Sequence, residues 1–297
     1  MSLYEQRRPG SPGKPGRKLG PISDSVGSTH RAWLEPLRTG FRNSGLTISE
    51  LSARTGWAKS KISELLRGTG LYPRWEITHS LLRELRVPAW PMLRLWTAAA
   101  LEAQKKPDWI NRCVDRRALS TGDAPPLKHQ PFCELQRGAY ETYAGVFLDD
   151  PGQAPQEAFD ILWLRWDEAL ASPNFVEFAW AVFRRSVMAR TRHVDGYPEF
   201  TMAAFDTVAL SMARTDEERF AQIEESIALY RLMSRLPERQ LDVMVLHHLR
   251  GMSVLAVADV LGVPAVSVRS DHRHARHLLE TALRSDDNSE GNPHDSH

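Results

Sequence analysis

Two stretches of this chain carry side chains suited to holding a polyanion, and both space them as a helix would. The first is Lys59, Ser60, Lys61, Ser63 and Arg67; the second is Ser267, Arg269, Ser270, Arg273 and Arg276. The chemistry these types support is noncovalent. Ammonium and guanidinium groups hold phosphates, while hydroxyls and arginine reach the donor and acceptor edges of bases. Covalent chemistry has no comparable candidate. There is no metalloprotease helix, nucleophile elbow or dinucleotide glycine pattern. Gly13-Lys14 lacks the upstream glycine of a phosphate loop, and Pro15 stands where Ser or Thr belongs. The sequence therefore predicts a non-enzymatic protein without a cofactor.

Metal chemistry is equally poorly supplied. Cys113 and Cys133 are the only cysteines, and their spacing fits no zinc pattern. Two unpaired thiols are expected. His272, His274 and His277 cluster near the C-terminus, but helical positions i and i+2 point to different sides, so only His274 and His277 can share a ligand. No metal site is expected.

Both cation-bearing stretches need a rigid helix behind them, and the flanking residues provide one. Thr47 with Glu50 three residues later makes a capping box for a short helix. Gly56 supplies the left-handed backbone of a tight turn, with Ala53 expected at the helix crossing. Ile62, Leu65 and Leu66 at i, i+3 and i+4 hold the second helix to a core, leaving Lys59, Ser60, Ser63 and Arg67 outward. Near the C-terminus Pro237 opens a helix, Gly251 ends it, Ser253 caps the next and Gly262 turns the chain again. Val268, Ala275 and Leu279 give the last helix its buried face.

The net charge of +1 conceals a partition. Residues 31–106 carry 13 basic and 6 acidic side chains, a balance of +7; residues 132–227 carry 8 and 17, a balance of −9; residues 231–284 carry 8 and 5, a balance of +3. Polyanion attraction follows local charge, so both ends remain candidates for phosphate contact. Along the chain we expect a disordered basic tail (1–29), a helix-turn-helix domain (30–106), a proline-rich linker (107–131), a helical domain (132–227), a second helix-turn-helix domain (228–284) and a disordered tail (285–297). In the middle, Leu135, Tyr140, Tyr143 and Phe147 mark one helix, stopped by Asp150-Pro151-Gly152. Ala158, Ile161, Leu162, Leu164 and Trp166 mark a second, and Phe175 to Val187 a third. A polar gap near Val194–Pro198 leads to weaker helices. No apolar run approaches the roughly 20 residues of a membrane span, and the N-terminus has no signal-peptide core, so a cytoplasmic protein is expected.

Three segments resemble known families. Leu51-Ser52, Gly56-Trp57-Ala58-Lys59-Ser60-Lys61-Ile62-Ser63 and Gly68 follow the pattern of phage-repressor (Xre) helix-turn-helix domains over about residues 31–87. Ala58 departs from it where a capping Ser is usual, with Ser60 one turn on as a substitute cap. Leu236-Pro237-Glu238-Arg239-Gln240, Gly251-Met252-Ser253, Ala258-Asp259-Val260-Leu261-Gly262-Val263 and Val268-Arg269-Ser270 with Ala275-Arg276 resemble region 4 of bacterial sigma factors, which binds the −35 promoter element. Asp271 departs by lying among the DNA-facing residues that the resemblance implies, and His272 by replacing an apolar side chain. Gln156-Glu157-Ala158-Phe159-Asp160-Ile161-Leu162-Trp163 is similar to the region 2 helix of extracytoplasmic-function sigma factors, which grips the polymerase clamp. That resemblance implies polymerase contact by Gln156, Glu157, Asp160 and Arg165. A bundle that only bridges or dimerises fits the middle segment equally.

The fold expected is all-α: an N-terminal helix-turn-helix bundle, a sigma-region-2-like middle and a sigma-region-4-like end. The function expected is a sequence-specific DNA-binding transcription regulator. Two alternatives stand beside it: a working sigma factor that directs RNA polymerase core to promoters, and a protein-interaction scaffold whose helix-turn-helix folds read no DNA. The partners expected are double-stranded DNA, RNA polymerase core and a second copy of the chain, with no membrane.

Overall fold

A computed structural model describes residues 19–114, 124–201 and 227–290, with side chains to residue 284. The chain is all-α; among the described residues the only strands are His193–Val194 and Tyr197–Pro198. They form a two-residue hairpin around Asp195 (φ 53°) and Gly196 (φ 83°), the positive pair that such tight turns require. This occupies the expected polar gap. The weaker helices expected beyond it fall mostly outside the described residues.

The chain divides into two compact units, one of residues up to 89 with 98–116, the other of 90–97 with 117–297. The first unit is built from α1 (Ser28–Asn43), α2 (Ile48–Thr55), α3 (Lys59–Arg67), α4 (Trp75–Leu85), the end of α5 (Ala89–Glu102) and α6 (Pro107–Cys113). Trp33, Leu34 and Leu37 of α1, Leu51 of α2, Ile62 and Leu66 of α3 and Leu81 and Leu82 of α4 are wholly buried. Each pair sits at helical spacing, so one apolar stripe per helix closes the core. Two expectations are corrected here. Residues 19–27 belong to the fold rather than to a tail: Val26 is buried, and the Ser23 amide donates to the Arg67 carbonyl at 2.9 Å. Part of the expected linker is α6, which buries Ile110 and Cys113.

The second unit contains α7 (His129–Ala144), α8 (Gln153–Leu164), α9 (Trp166–Ala171), α10 (Phe175–Arg190), helical residues 227–234, α11 (Glu238–Val243), a π-helical turn (Met244–Leu249), α12 (Val254–Leu261) and α13 (Ala265–Glu290). The expected boundary near residue 228 does not separate two cores. Tyr140, Tyr143, Phe159, Trp180 and Phe183 of the middle helices share one apolar cluster with Leu241, Val245, Val257, Val268, Ala275 and Leu279. Tyr140 stacks on Phe183 with ring centroids 4.1 Å apart, and Trp180 meets Tyr143 edge-on. Leu135, expected to mark the inner face of α7, is instead 78% exposed. The helical backbone of α13 continues to Glu290, past the expected start of the C-terminal tail. No helix among the described residues is long and apolar enough to cross a membrane.

Candidate nucleic-acid interface

The first interface candidate is the α2–α3 pair. The Glu50 amide donates to the Thr47 hydroxyl, and the Glu50 carboxylate accepts from the Thr47 amide at 2.7 Å, so the capping box is closed in both directions. Those hydrogen bonds from Thr47 hold the Glu50 carboxyl below the usual carboxylate range. Gly56 turns the chain with φ 76°. Ser52, not Ala53, is half-buried; Ala53 is exposed. The inward arc of α2 runs through Ile48, Leu51, Ser52 and Thr55, and Ala53 lies outside it. Position 58 also differs from expectation. Ala58 is the N-cap of α3 with no side-chain cap, and Ser60 lies inside the helix, so the substitute cap is not made.

Lys59, Ser60, Lys61 and Arg67 are exposed and Ser63 is half-buried; Ser60 and Arg67 stand opposite Ile62, Leu65 and Leu66, while Lys59 lies at the N-terminal end of the apolar row. From α1, Arg38 donates to the Leu66 carbonyl at 2.5 Å and to the Gly20 carbonyl at 2.7 Å, fixing the end of α3. One residue that the sequence reading passed over lies on the same outer face. Glu64 sits one turn from Ser60 and Arg67, and Lys61 reaches its carboxylate at 2.9 Å. Lys61 is therefore partly neutralised, and Arg67 carries the positive charge of this face, with Lys59 at its N-terminal edge.

The second candidate is α12–α13. Ser253 caps α12 by accepting from the Ala256 amide, and Gly262 turns the chain with φ 69°. Val268, Ala275 and Leu279 are buried, as their spacing predicts. Arg269, Arg273 and Arg276 are exposed, and Ser267 and Ser270 are half-buried. Arg276 pairs with Glu280 at 3.2 Å; among the described residues Arg269 and Arg273 have no ion pair. Asp271 is corrected from a groove-facing to an inward-facing residue. It is buried, and Arg239 of α11 donates to it at 2.7 Å, so it repels no phosphate. His272 takes the half-buried place of an apolar side chain, its ring 4.9 Å from that of His247. Burial, and then His247 and His248, push its pKa down, which keeps it neutral there.

Residues 226–279 match the family model described as Sigma-70, region 4. The C-terminal helices are thus a DNA-binding helix-turn-helix domain of the kind found in transcription initiation factors, and at that level the chain is a DNA-binding transcription regulator. No curated protein and no solved structure matches the chain.

The region 4 segment is fastened to the middle helices by a buried carboxylate. Asp242 of α11 accepts from the Tyr143 hydroxyl at 2.6 Å, the Trp180 indole at 2.9 Å and the Arg184 guanidinium at 2.9 Å. Burial pushes the Asp242 carboxyl up, against the pull of Arg184 and the two neutral donors. Asn174, the N-cap of α10, also donates to the Gly262 carbonyl.

Two of the four residues expected to grip polymerase, Glu157 and Asp160, are spent inside the fold. Glu157 is buried and paired with Arg190 of α10. Asp160 is 1% exposed, and Arg94 of the 90–97 segment donates to both of its oxygens at 2.9 Å. Burial still pushes the Asp160 carboxyl up, with Arg94 opposing. Gln156 is half-buried and donates to Asp160; Arg165 pairs with Glu168 at 2.7 Å and lies over the Phe178 ring. The two carboxylates are structural rather than surface groups. A buried ion lacking its partner is costly, so each is bound to the arginine that the fold brings to it.

Proposed function

We propose that the chain is a sequence-specific transcription regulator that reads double-stranded DNA with α3 of an Xre-type domain and α13 of the region 4 segment. One observation carries the reading. On α13, Arg269, Ser270 and Arg273 stand on the side opposite the buried Val268, Ala275 and Leu279, in a segment matched by a DNA-binding family. A helix held from behind and presenting cations and short hydroxyls in front fits a major groove. On α3, Lys59, Ser60, Ser63 and Arg67 offer the same combination.

A working sigma factor needs the middle helices to bind RNA polymerase core, and the internal pairing of Glu157 and Asp160 supports the regulator over that alternative. RNA polymerase then remains a partner for the region 4 segment rather than for α8. Selection of DNA from a random pool by the full chain tests the proposal. An enriched sequence is expected, with affinity that falls as salt rises. Arg273→Ala should weaken the selected site about tenfold, within the 1–3 kcal/mol of a base contact. Failure to enrich any sequence overturns the reading. Pull-down with core polymerase that needs Gln156 and Arg165 would favour the sigma-factor alternative.

A further inference from the structure

On α13 the best-exposed side chain of the first turn is apolar. Val266 is 63% exposed and has no place in the core cluster. With 3.6 residues per turn, Val266, Arg269, Ser270 and Arg273 at i, i+3, i+4 and i+7 form one row, opposite Val268 and Ala275. The half-buried Ser267 and Ser270 beside it are short, so nothing on the helix shields the valine. Neither helix formation nor burial asks for Val there. A β-branched residue is a weaker helix former than alanine, and an exposed aliphatic gains nothing from folding.

A groove supplies what the fold does not. Of the groups that base pairs present in the major groove, one is apolar, the C5-methyl of thymine. The first residues of a recognition helix are those that reach base edges. We infer that Val266 reads a thymine by packing on its methyl group, between arginines that hold neighbouring guanines or phosphates. The inference rests on the proposed entry of α13 into DNA, and it names the base that this position selects.

The test removes the thymine methyl from one side and the two valine methyls from the other. Once the full chain has selected a site, each thymine is replaced in turn by deoxyuridine, which keeps every hydrogen-bonding group and lacks only the methyl. At one thymine the wild-type protein should lose about fourfold in affinity, the worth of one buried methyl group. Val266→Ala should lose a similar factor on the thymine site and be indifferent to the same deoxyuridine. Val266→Thr, which keeps one methyl, should fall between them. Deoxyuridine losses equal in wild type and Val266→Ala, or no sensitive thymine in a well-enriched site, overturn the inference and leave DNA reading standing. No enriched site at all overturns both.

Discussion

The two helix-turn-helix pairs are built to the same local plan but are held in different ways. In α2–α3 the turn glycine, Gly56, has open space where a Cβ would go, and the pair is secured by its own cap and by Arg38. In α12–α13 a Cβ on Gly262 would lie 2.5 Å from the Glu177 amide nitrogen and 2.9 Å from the Val176 side chain of α10. Asn174 binds the carbonyl of that same glycine, and Asp242 ties the preceding helix to α7 and α10. Both pairs wall a core, but the turn of the first stands clear of its neighbours, whereas the turn of the second is packed against α10. A shared sequence pattern therefore reveals the shape of a turn without revealing what the turn leans on.

Asp242→Ala should give the largest effect. It strips a fully buried Tyr143 hydroxyl and the Trp180 indole of their acceptor and leaves Arg184, 15% exposed, with only the 82% exposed Glu238 at 3.1 Å. Breaking such a pair costs about 3–5 kcal/mol. Urea unfolding with hydrogen exchange should show protection lost in α10–α13 and kept in α2–α3. Equal loss in both pairs would break the comparison.

The turn glycines sharpen it further. Gly56→Ala meets only the left-handed strain of a Cβ, about 1 kcal/mol. Gly262→Ala meets the same strain plus a backbone clash, for a total of about 3 kcal/mol or more. Midpoints of denaturant unfolding for the two variants check the difference, and similar losses would remove the packing argument.

What could be read in the sequence divides along the same line. Thr47 with Glu50, Gly56, Ser253 and Gly262 act on neighbours within a few residues, so spacing alone located both turns. Val268, Ala275 and Leu279 were equally visible, because a long helix repeats its stripe. Glu157 and Asp160 were not, since their fate depends on Arg190 and Arg94, 33 and 66 positions away in the chain. In the same way, Asp271 looks exposed until Arg239, 32 positions earlier, is placed beside it. Residues 19–27 mix Leu19, Ile22 and Val26 with glycine, proline and serine, so the packing of Val26 and of the Ser23 amide gave no pattern to read. Ala53 and Ser52 could not be told apart because a two-turn helix offers too few repeats to fix its phase.

Each unit also has a histidine whose pKa burial pushes down, and pH separates the two. His30 stacks on Trp33 with ring centroids 5.0 Å apart, its Nε2 buried without a hydrogen-bond partner, and burial drives its pKa down to about 4 despite Glu102. Below pH 6.5 the unfolded chain binds the proton that the folded ring refuses, so this contribution is complete above pH 6.5 and is lost as pH falls toward 4. The ring is only partly buried, and after allowance for solvent screening the loss is about 1–2 kcal/mol. His272 is shifted in the same direction, by burial first and then by the neighbouring His247 and His248. Thermal melting of wild type and His30→Phe between pH 7 and 4.5 should show a steeper acid loss in wild type, because phenylalanine keeps the stack on Trp33 without a proton to bind. Parallel curves would place the acid sensitivity elsewhere, and a curve flattened by His272→Leu instead would assign it to the second unit.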